Sequence, residues 1–235
     1  MKLKFHIMLV GLLVVAINAN AQTCGFGCLG MSGFYVGYSY QFSEFSNLNN
    51  ELKSENLKFD NLNGFRIGAN IFRAKFDNYF LSIKGYYQVA SQTVSNSSNS
   101  GGAFIENEYE LNLNHWGVGI DFGIPITDYF EYKIVEGGIN IYSAEFSYKN
   151  IMNGNELVKI KYKSNKTDIG YFIGTGFIFH LVKNYASIEG LIYYNKIAIS
   201  SMTNSNNQYL FQKEDSLIDN GGFAGTIQLN IGVPF

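Results

Sequence analysis

Proline and charge are the scarce residues of this chain. Two prolines stand among 235 residues and only 15% of residues are charged, against about 5% and about 25% in average usage. So little proline, beside 25 glycines, excludes Pro-rich linkers and collagen-like chains. The charges nearly balance, 17 basic against 19 acidic for a net −2, which excludes a strongly basic nucleic-acid binder. Beyond residue 21 no stretch approaches 18 consecutive apolar residues, so helical membrane spans are excluded there. Aromatics, in contrast, reach 16% with 17 Tyr, 20 Phe and one Trp. Many aromatics with little charge argue against disorder, and Tyr, Phe, Ile, Asn and Gly together form a β-sheet vocabulary.

The first 21 residues read as an export signal. Lys2 and Lys4 precede an apolar run over Ile7–Ile17, and Ala19-Asn20-Ala21 offers a small-x-small cleavage site. The run is too short to span a membrane as a helix. Thr23 before Cys24 does not suit lipid attachment. Loss of Lys2 and Lys4 leaves 15 basic against 19 acidic residues, a formal −4. Cys24 and Cys28, in the short segment 22–32, are open to a local disulfide in an oxidising compartment. That bond would close a tiny loop and add little stability. No further Cys or His lies near enough for a metal site.

From residue 33 onward the chain alternates with period two. At the C-terminus Phe223, Gly225, Ile227, Leu229, Ile231, Val233 and Phe235 share one face, and Gly222, Ala224, Thr226, Gln228, Asn230 and Gly232 the other. A strand separates these sets and a helix would mix them. Seven earlier segments behave alike, around Phe34–Phe42, Phe65–Ile71, Tyr79–Val89, Trp116–Phe122, Val135–Ile141, Ile169–Phe179 and Ala186–Tyr194. Eight strands result. Links at Asp77-Asn78, Pro125 to Asp128 and Val182 to Asn184 are short, whereas Asn47 to Asn61, Ser95 to Gly102 and Ser200 to Asn220 are long and polar. Short turns on one side and long loops on the other describe a membrane barrel with both ends on the short-turn side.

Two registers conflict with simple alternation. Asn153-Gly154 is a strong two-residue hairpin signal. It would pair Met152 with Asn155, odd with even, although the outward faces of both flanking strands are odd. A β-bulge or a different turn is therefore expected between them. In the fourth strand Tyr109, Leu111 and Leu113 are odd while the apolar face from Trp116 onward is even, which reads as a phase change.

Aromatics gather at the short-turn end. Phe76, Tyr79 and Phe80, then Tyr129, Phe130 and Tyr132, then Phe179, Tyr185 and the terminal Phe235 match an interfacial girdle. With the signal peptide, the eight strands and Phe235, the sequence resembles small bacterial outer-membrane β-barrels of the OmpA/OmpX-like type, in particular the outer membrane protein β-barrel domain families of Bacteroidota. The resemblance covers nearly all of the mature chain. It implies an all-β, eight-stranded antiparallel up-and-down transmembrane barrel over residues 33–235, located in the bacterial outer membrane and monomeric. It also implies that barrel-assembly machinery reads Gly225, Ile227, Leu229, Ile231, Val233 and Phe235 of the last strand. Pro234 departs from the pattern, though a strand end tolerates it.

An eight-stranded interior is just wide enough for side chains to fill. Alternation points Arg66, Lys84, Asp121, Glu136 and Glu189 into it. Buried charges need partners, so an ion-pair network of two bases with three acids is expected. Gly117, Gly119, Gly174 and Gly176 face inward to make room for neighbours such as Phe172 and Tyr86. The Gly-Thr-Gly at 174–176 is no dinucleotide fingerprint, and no cofactor or metal is implied. His115 and Asp121 share a strand face but stand about 20 Å apart, His180 reads as an interfacial polar residue, and no Gly-x-Ser-x-Gly elbow exists. The chain is not expected to be an enzyme. Lys159, Lys161 and Lys163 alternate on one hairpin face, alongside Phe146 and Tyr148, where lipopolysaccharide phosphates or a partner could meet them. Three roles stay open: a closed barrel displaying loops for structure, adhesion or interaction; passage of small or hydrophobic molecules; and an accessory barrel of a secretion or assembly machine.

Overall fold

The computed structural model describes residues 33–43, 45–182, 185–212 and 216–232. The leader, Cys24, Cys28, Val233, Pro234 and Phe235 lie outside these residues. Among the described residues ten strands form one antiparallel sheet. They are β1 (Gly33–Phe42), β2 (Asn61–Lys75), β3 (Phe80–Ser100), β4 (Ala103–Pro125), β5 (Phe130–Met152), β6 (Asn155–Ser164), β7 (Asp168–Val182), β8 (Ala186–Ile199), β9 (Met202–Thr203) and β10 (Ile218–Ile231). Eight of them close into a barrel in the order β1-β2-β3-β4-β5-β7-β8-β10, and β10 returns to β1 through pairs running from Phe34 with Ile231 to Gln41 with Ala224. The expected all-β, eight-stranded antiparallel up-and-down barrel is the fold found. β6 and the short β9 extend the sheet beside the upper half of β5.

The alternation in sequence becomes two faces. Along β1 buried and exposed positions alternate without interruption up to Ser39. The outward face is apolar: Trp116 is 64% exposed, Phe223 66% and Ile227 69%. A continuous apolar girdle of this kind is far more than a water-soluble domain leaves bare, and it gives the barrel a lipid-facing wall. Aromatic pairs mark both rims. Phe76 stacks on Tyr79 at 4.4 Å and Phe130 on Phe177 at 5.6 Å near the short turns; Tyr38–Phe65 and Tyr87–Trp116 lie toward the other end. Phe80, expected in the girdle, is instead fully buried in the lumen under the Arg73 guanidinium. Its even position puts it on the inward face of β3 with Ser82 and Lys84.

The expected loop at Ser95 to Gly102 is a hairpin. The β3–β4 ladder runs unbroken from Phe80 with Gly123 to Ser100 with Ala103 and turns on Gly101-Gly102, both at positive φ. Asn153 and Gly154, with φ of 48° and 81°, likewise make a two-residue turn and pair Met152 with Asn155. Positive φ at both central residues fits the twist of the flanking strands. The parity conflict is resolved by a bulge: Asn150 pairs with Val158 and Ile151 with Glu156, leaving Leu157 over. The strand after this turn is two strands, β6 and β7, separated by residues 165–167.

β3, β4 and β5 have 21, 23 and 23 residues, whereas a membrane strand needs about 9–11. About a dozen residues of each therefore rise beyond the wall, roughly 40 Å of strand, and with β6 they form a four-stranded fin. The phase change expected in β4 is not a slip, since its ladder with β3 is continuous. Leu111 and Leu113 stay on the inward face of His115 and Asp121 and are buried there. The apolar side changes while the register does not.

Candidate functional site

The lumen is built in layers. Nearest the short turns Glu131 is buried and meets Arg73, Lys75 at 2.9 Å and His180 at 3.1 Å. Above it lies an ion cluster. Lys84 Nζ lies 3.3 Å from Asp121, 3.0 Å from Glu136 and 3.1 Å from Glu189. Lys133 Nζ contacts the same three carboxylates, at 2.7 Å from Asp121, 2.8 Å from Glu136 and in a short contact with Glu189. Ser82 donates to Asp121, and Asn230 donates to Glu189. Two lysines shared among three acids neutralise most of the buried charge and occupy most of its hydrogen-bonding capacity.

Arg66 is not part of this cluster, contrary to expectation. It lies higher, donating to Gln88 at 2.9 Å and to the Tyr193 hydroxyl at 2.9 Å, with its guanidinium 4.0 Å from the Tyr86 ring centre. A planar, weakly hydrated guanidinium can be held by aromatic faces and neutral acceptors. Next comes an amide-and-phenol layer in which Tyr86, Asn140, Tyr142, Asn195 and Gln41 are hydrogen-bonded in series. Gly117 and Gly119 make the room expected of them. A Cβ at Gly117 would stand 2.1 Å from the Tyr86 ring, and one at Gly119 would stand 2.9 Å from Phe172. His115 packs against the rings of Tyr86 and Tyr142, in a different layer from Asp121.

Period two missed Lys133, and with it Glu131, Arg73 and Lys75, among the lumen residues, and β5 shows why. Phe122 pairs with Val135 but Gly123 with Lys133, so Ile134 is an extra residue. Ile134 and Val135 both face outward, and Lys133 and Glu136 on either side both face inward. A second bulge at Ile71 does the same in β2, turning Arg73 and Lys75 inward below Asn70. Adjacent apolar residues between two charges, Lys133-Ile134-Val135-Glu136, were the available signal.

The far end of the lumen is sealed by apolar side chains. The β1–β2 connection carries helix α1 (Ser46–Glu51), and it buries Phe45, Leu48, Leu52 and Phe59. The β8–β10 connection buries Met202, Leu210 and Leu217. Both pack against Leu111, Leu113 and Phe146 on the inner face of the fin. Asn49 exchanges two hydrogen bonds with the Phe59 backbone, and Asn47 reaches the Ser216 carbonyl at 3.1 Å, tying the two connections together.

The outer face of the fin is a charge ladder. Glu108 pairs with Lys149, and Glu145 pairs with Lys161 at 2.7 Å and with Lys163 at 3.6 Å. Lys161, by hydrogen bonding, holds the Glu145 carboxyl below its ordinary range, although partial burial opposes this. Lys159, Lys161 and Lys163 share this exposed face as expected, but Phe146 and Tyr148 lie on the opposite one, since Phe146 pairs with Tyr162 and Ser147 with Lys161. On that inner side burial pushes the Tyr109 phenol up to about 12, with Glu55 adding to the effect. In β10, Gly225, Ile227, Leu229 and Ile231 lie on the outward side between β1 and β8; Val233 and Phe235 fall beyond the described residues.

Asp121, Glu136 and Glu189 present oxygens within 4.8 Å of one another, a spacing that could suit a cation. The Lys84 and Lys133 ammonium groups already stand among those oxygens, so the donor set fits a lysine pair better than a metal.

No protein-family model and no curated protein matches the chain. Among solved structures, Ail, the attachment invasion locus protein of Yersinia pestis, is similar at 15% identity and a TM-score of 0.43, over 87% of this chain and 97% of that one. Neisserial surface protein A is similar at 13% identity and 0.42, over 87% and 99%. The outer membrane protease OmpT from Escherichia coli is similar at 11% identity and 0.45, over 87% and 94%. Likeness at this level assigns no activity to this chain, and the eight-stranded barrel rests on its own ladders.

Proposed function

We propose that the protein is an integral barrel of the bacterial outer membrane whose lumen is closed and whose work is done by the fin and cap at its outer end, in a structural, adhesion or interaction role. The observation that carries this reading is the filled cross-section. Two layers of ion pairs, the Arg66 layer and the amide layer occupy the interior, and an apolar seal of Phe45, Leu48, Phe59 and Leu210 lies over them. An eight-stranded barrel has no spare width beside such side chains. The reading assigns no catalytic step. His115 lies between tyrosine rings and His180 against Glu131. Lys159, Lys161 and Lys163 remain the face offered to lipopolysaccharide phosphates or a partner, and they also guard the β6 edge, which β9 covers only at Lys163 and Ser164. Passage of small molecules and service in a secretion machine are the competing roles. Planar-bilayer recording on the refolded, heat-modifiable protein tests the proposal. The expected result is no stable channel, and persistent openings would overturn the closed-lumen reading.

A further inference from the structure

The inner face of the fin does not meet the β8–β10 connection everywhere. Between them opens a pocket of about 650 Å³, within the range of small-ligand sites. Its wall is aromatic: Tyr109, Phe146, Tyr162 and Phe211 line it, and Asn207, Gln208 and Gln212 stand at its exposed rim. No charged side chain lines it among the described residues. We infer that this pocket binds a neutral saccharide, an inference that rests on the reading of the outer end as the working face.

Three features choose that ligand class. Among the described residues the lining carries no charge to pair with a sulfate, phosphate or carboxylate, which sets it apart from the lysine face of β6. The rings meet at inclined angles, 46° between Tyr109 and Phe146 and 65° between Phe146 and Phe211. They form a bowl rather than the parallel slot that would sandwich a flat aromatic molecule. A sugar ring presents C–H faces to such a bowl and hydroxyls at its edge, where three side-chain amides can each donate and accept. Phe211 is also held at φ 54° and Gln212 at φ 57°, a left-handed backbone unusual for a bulky side chain. The ring also packs edge-on against Phe146 at 5.8 Å, so backbone and packing together fix it in the pocket wall.

The full chain in lipid nanodiscs is titrated calorimetrically with maltotetraose, cellotetraose and chitotetraose, with dextran sulfate and 2-naphthol as contrasts. At least one neutral oligosaccharide is expected to bind. Phe211→Gly removes the ring and relieves the left-handed backbone, so affinity is expected to fall about five- to tenfold while the barrel still assembles and shows heat-modifiable migration. Gln208→Ala, at an exposed rim position, is expected to weaken binding without touching the core. Failure of all three neutral sugars, binding of dextran sulfate or 2-naphthol in their place, or unchanged affinity in both variants would overturn the inference. Bilayer recordings on the same preparation keep the two readings apart: open channels sink the closed barrel, and silent channels without sugar binding sink only this site.

Discussion

At the scale of single residues, the lumen separates two kinds of buried cation. Lys133 sits among three carboxylates with Lys84, whereas Arg66 is held by Gln88, Tyr193 and the Tyr86 ring. Lys133→Met would leave three acids sharing one ammonium, and stranding buried charge costs about 3–5 kcal/mol. Arg66→Met removes a cation whose partners are neutral, and the loss should stay near the ~2 kcal/mol of a desolvated cation–π contact. Urea midpoints of heat-modifiable migration in detergent should fall further for Lys133→Met; the reverse order would show that the charge cluster is not the main tie across the lumen. The inward facing of Arg66, Lys84, Asp121, Glu136 and Glu189 was legible from alternation alone. Their partners were not, because alternation gives a face and not a height. Arg66 stands opposite Gln88 and Lys84 opposite Asn70, an offset set by strand stagger that no single strand reveals.

At the scale of elements, bulges decide what faces where. In β5 the extra residue Ile134 lets Lys133 and Glu136 both point inward. Deleting Ile134 removes the bulge but keeps both charges inside, so the variant should still assemble and show heat-modifiable migration. Deleting Ile139, which sits in regular ladder opposite Val118 and Tyr171, shifts the parity of everything below it and turns Lys133 and Glu136 toward lipid. A lysine on the lipid face costs about 2–4 kcal/mol at the membrane midplane, besides the lost cluster, and this variant should fail to assemble. The bulge near Asn153-Gly154 was readable because turn and strand parity disagreed; the one at Ile134 was not, since nothing beyond two adjacent apolar residues marks it. The β5–β6 pair also carries a pH signature. Glu145 is held below its ordinary value near 4.5 chiefly by the Lys161 hydrogen bond. Its contribution is therefore complete above the unfolded pKa and is lost as pH falls through the lower folded one. Carbon NMR of the Glu145 carboxyl should give a midpoint below 4.5 that moves upward in Lys161→Ala; an unmoved midpoint would assign the depression elsewhere.

At the scale of the whole molecule, the chain turns itself inside out at the outer rim. Below it Trp116, Val118 and Ile120 face lipid while His115, Gly117 and Asp121 face inward; above it Leu111, Leu113, Ala144 and Phe146 are buried inside and Glu108, Lys149 and Lys161 face water. One register serves both halves, because what changes is the solvent outside the wall: hydrocarbon favours apolar side chains outward, and water favours them under the cap. That inversion explains why the apolar face of β4 looked like a phase change, and why polar connections such as Asn47 to Asn61 hid a seal. It also separates two barriers across the molecule, the apolar cap and the polar layers. Leu48→Ala with Leu210→Ala thins the cap, and each buried Leu→Ala step costs about 2–5 kcal/mol, so protease sensitivity of the β1–β2 and β8–β10 connections should rise. Conductance should stay absent, because Arg66, Tyr86, Asn140 and Asn195 still fill the section beneath. Channel activity in that double variant would mean that the cap alone holds the barrel shut, and the polar layers would then line a gated path instead of plugging one.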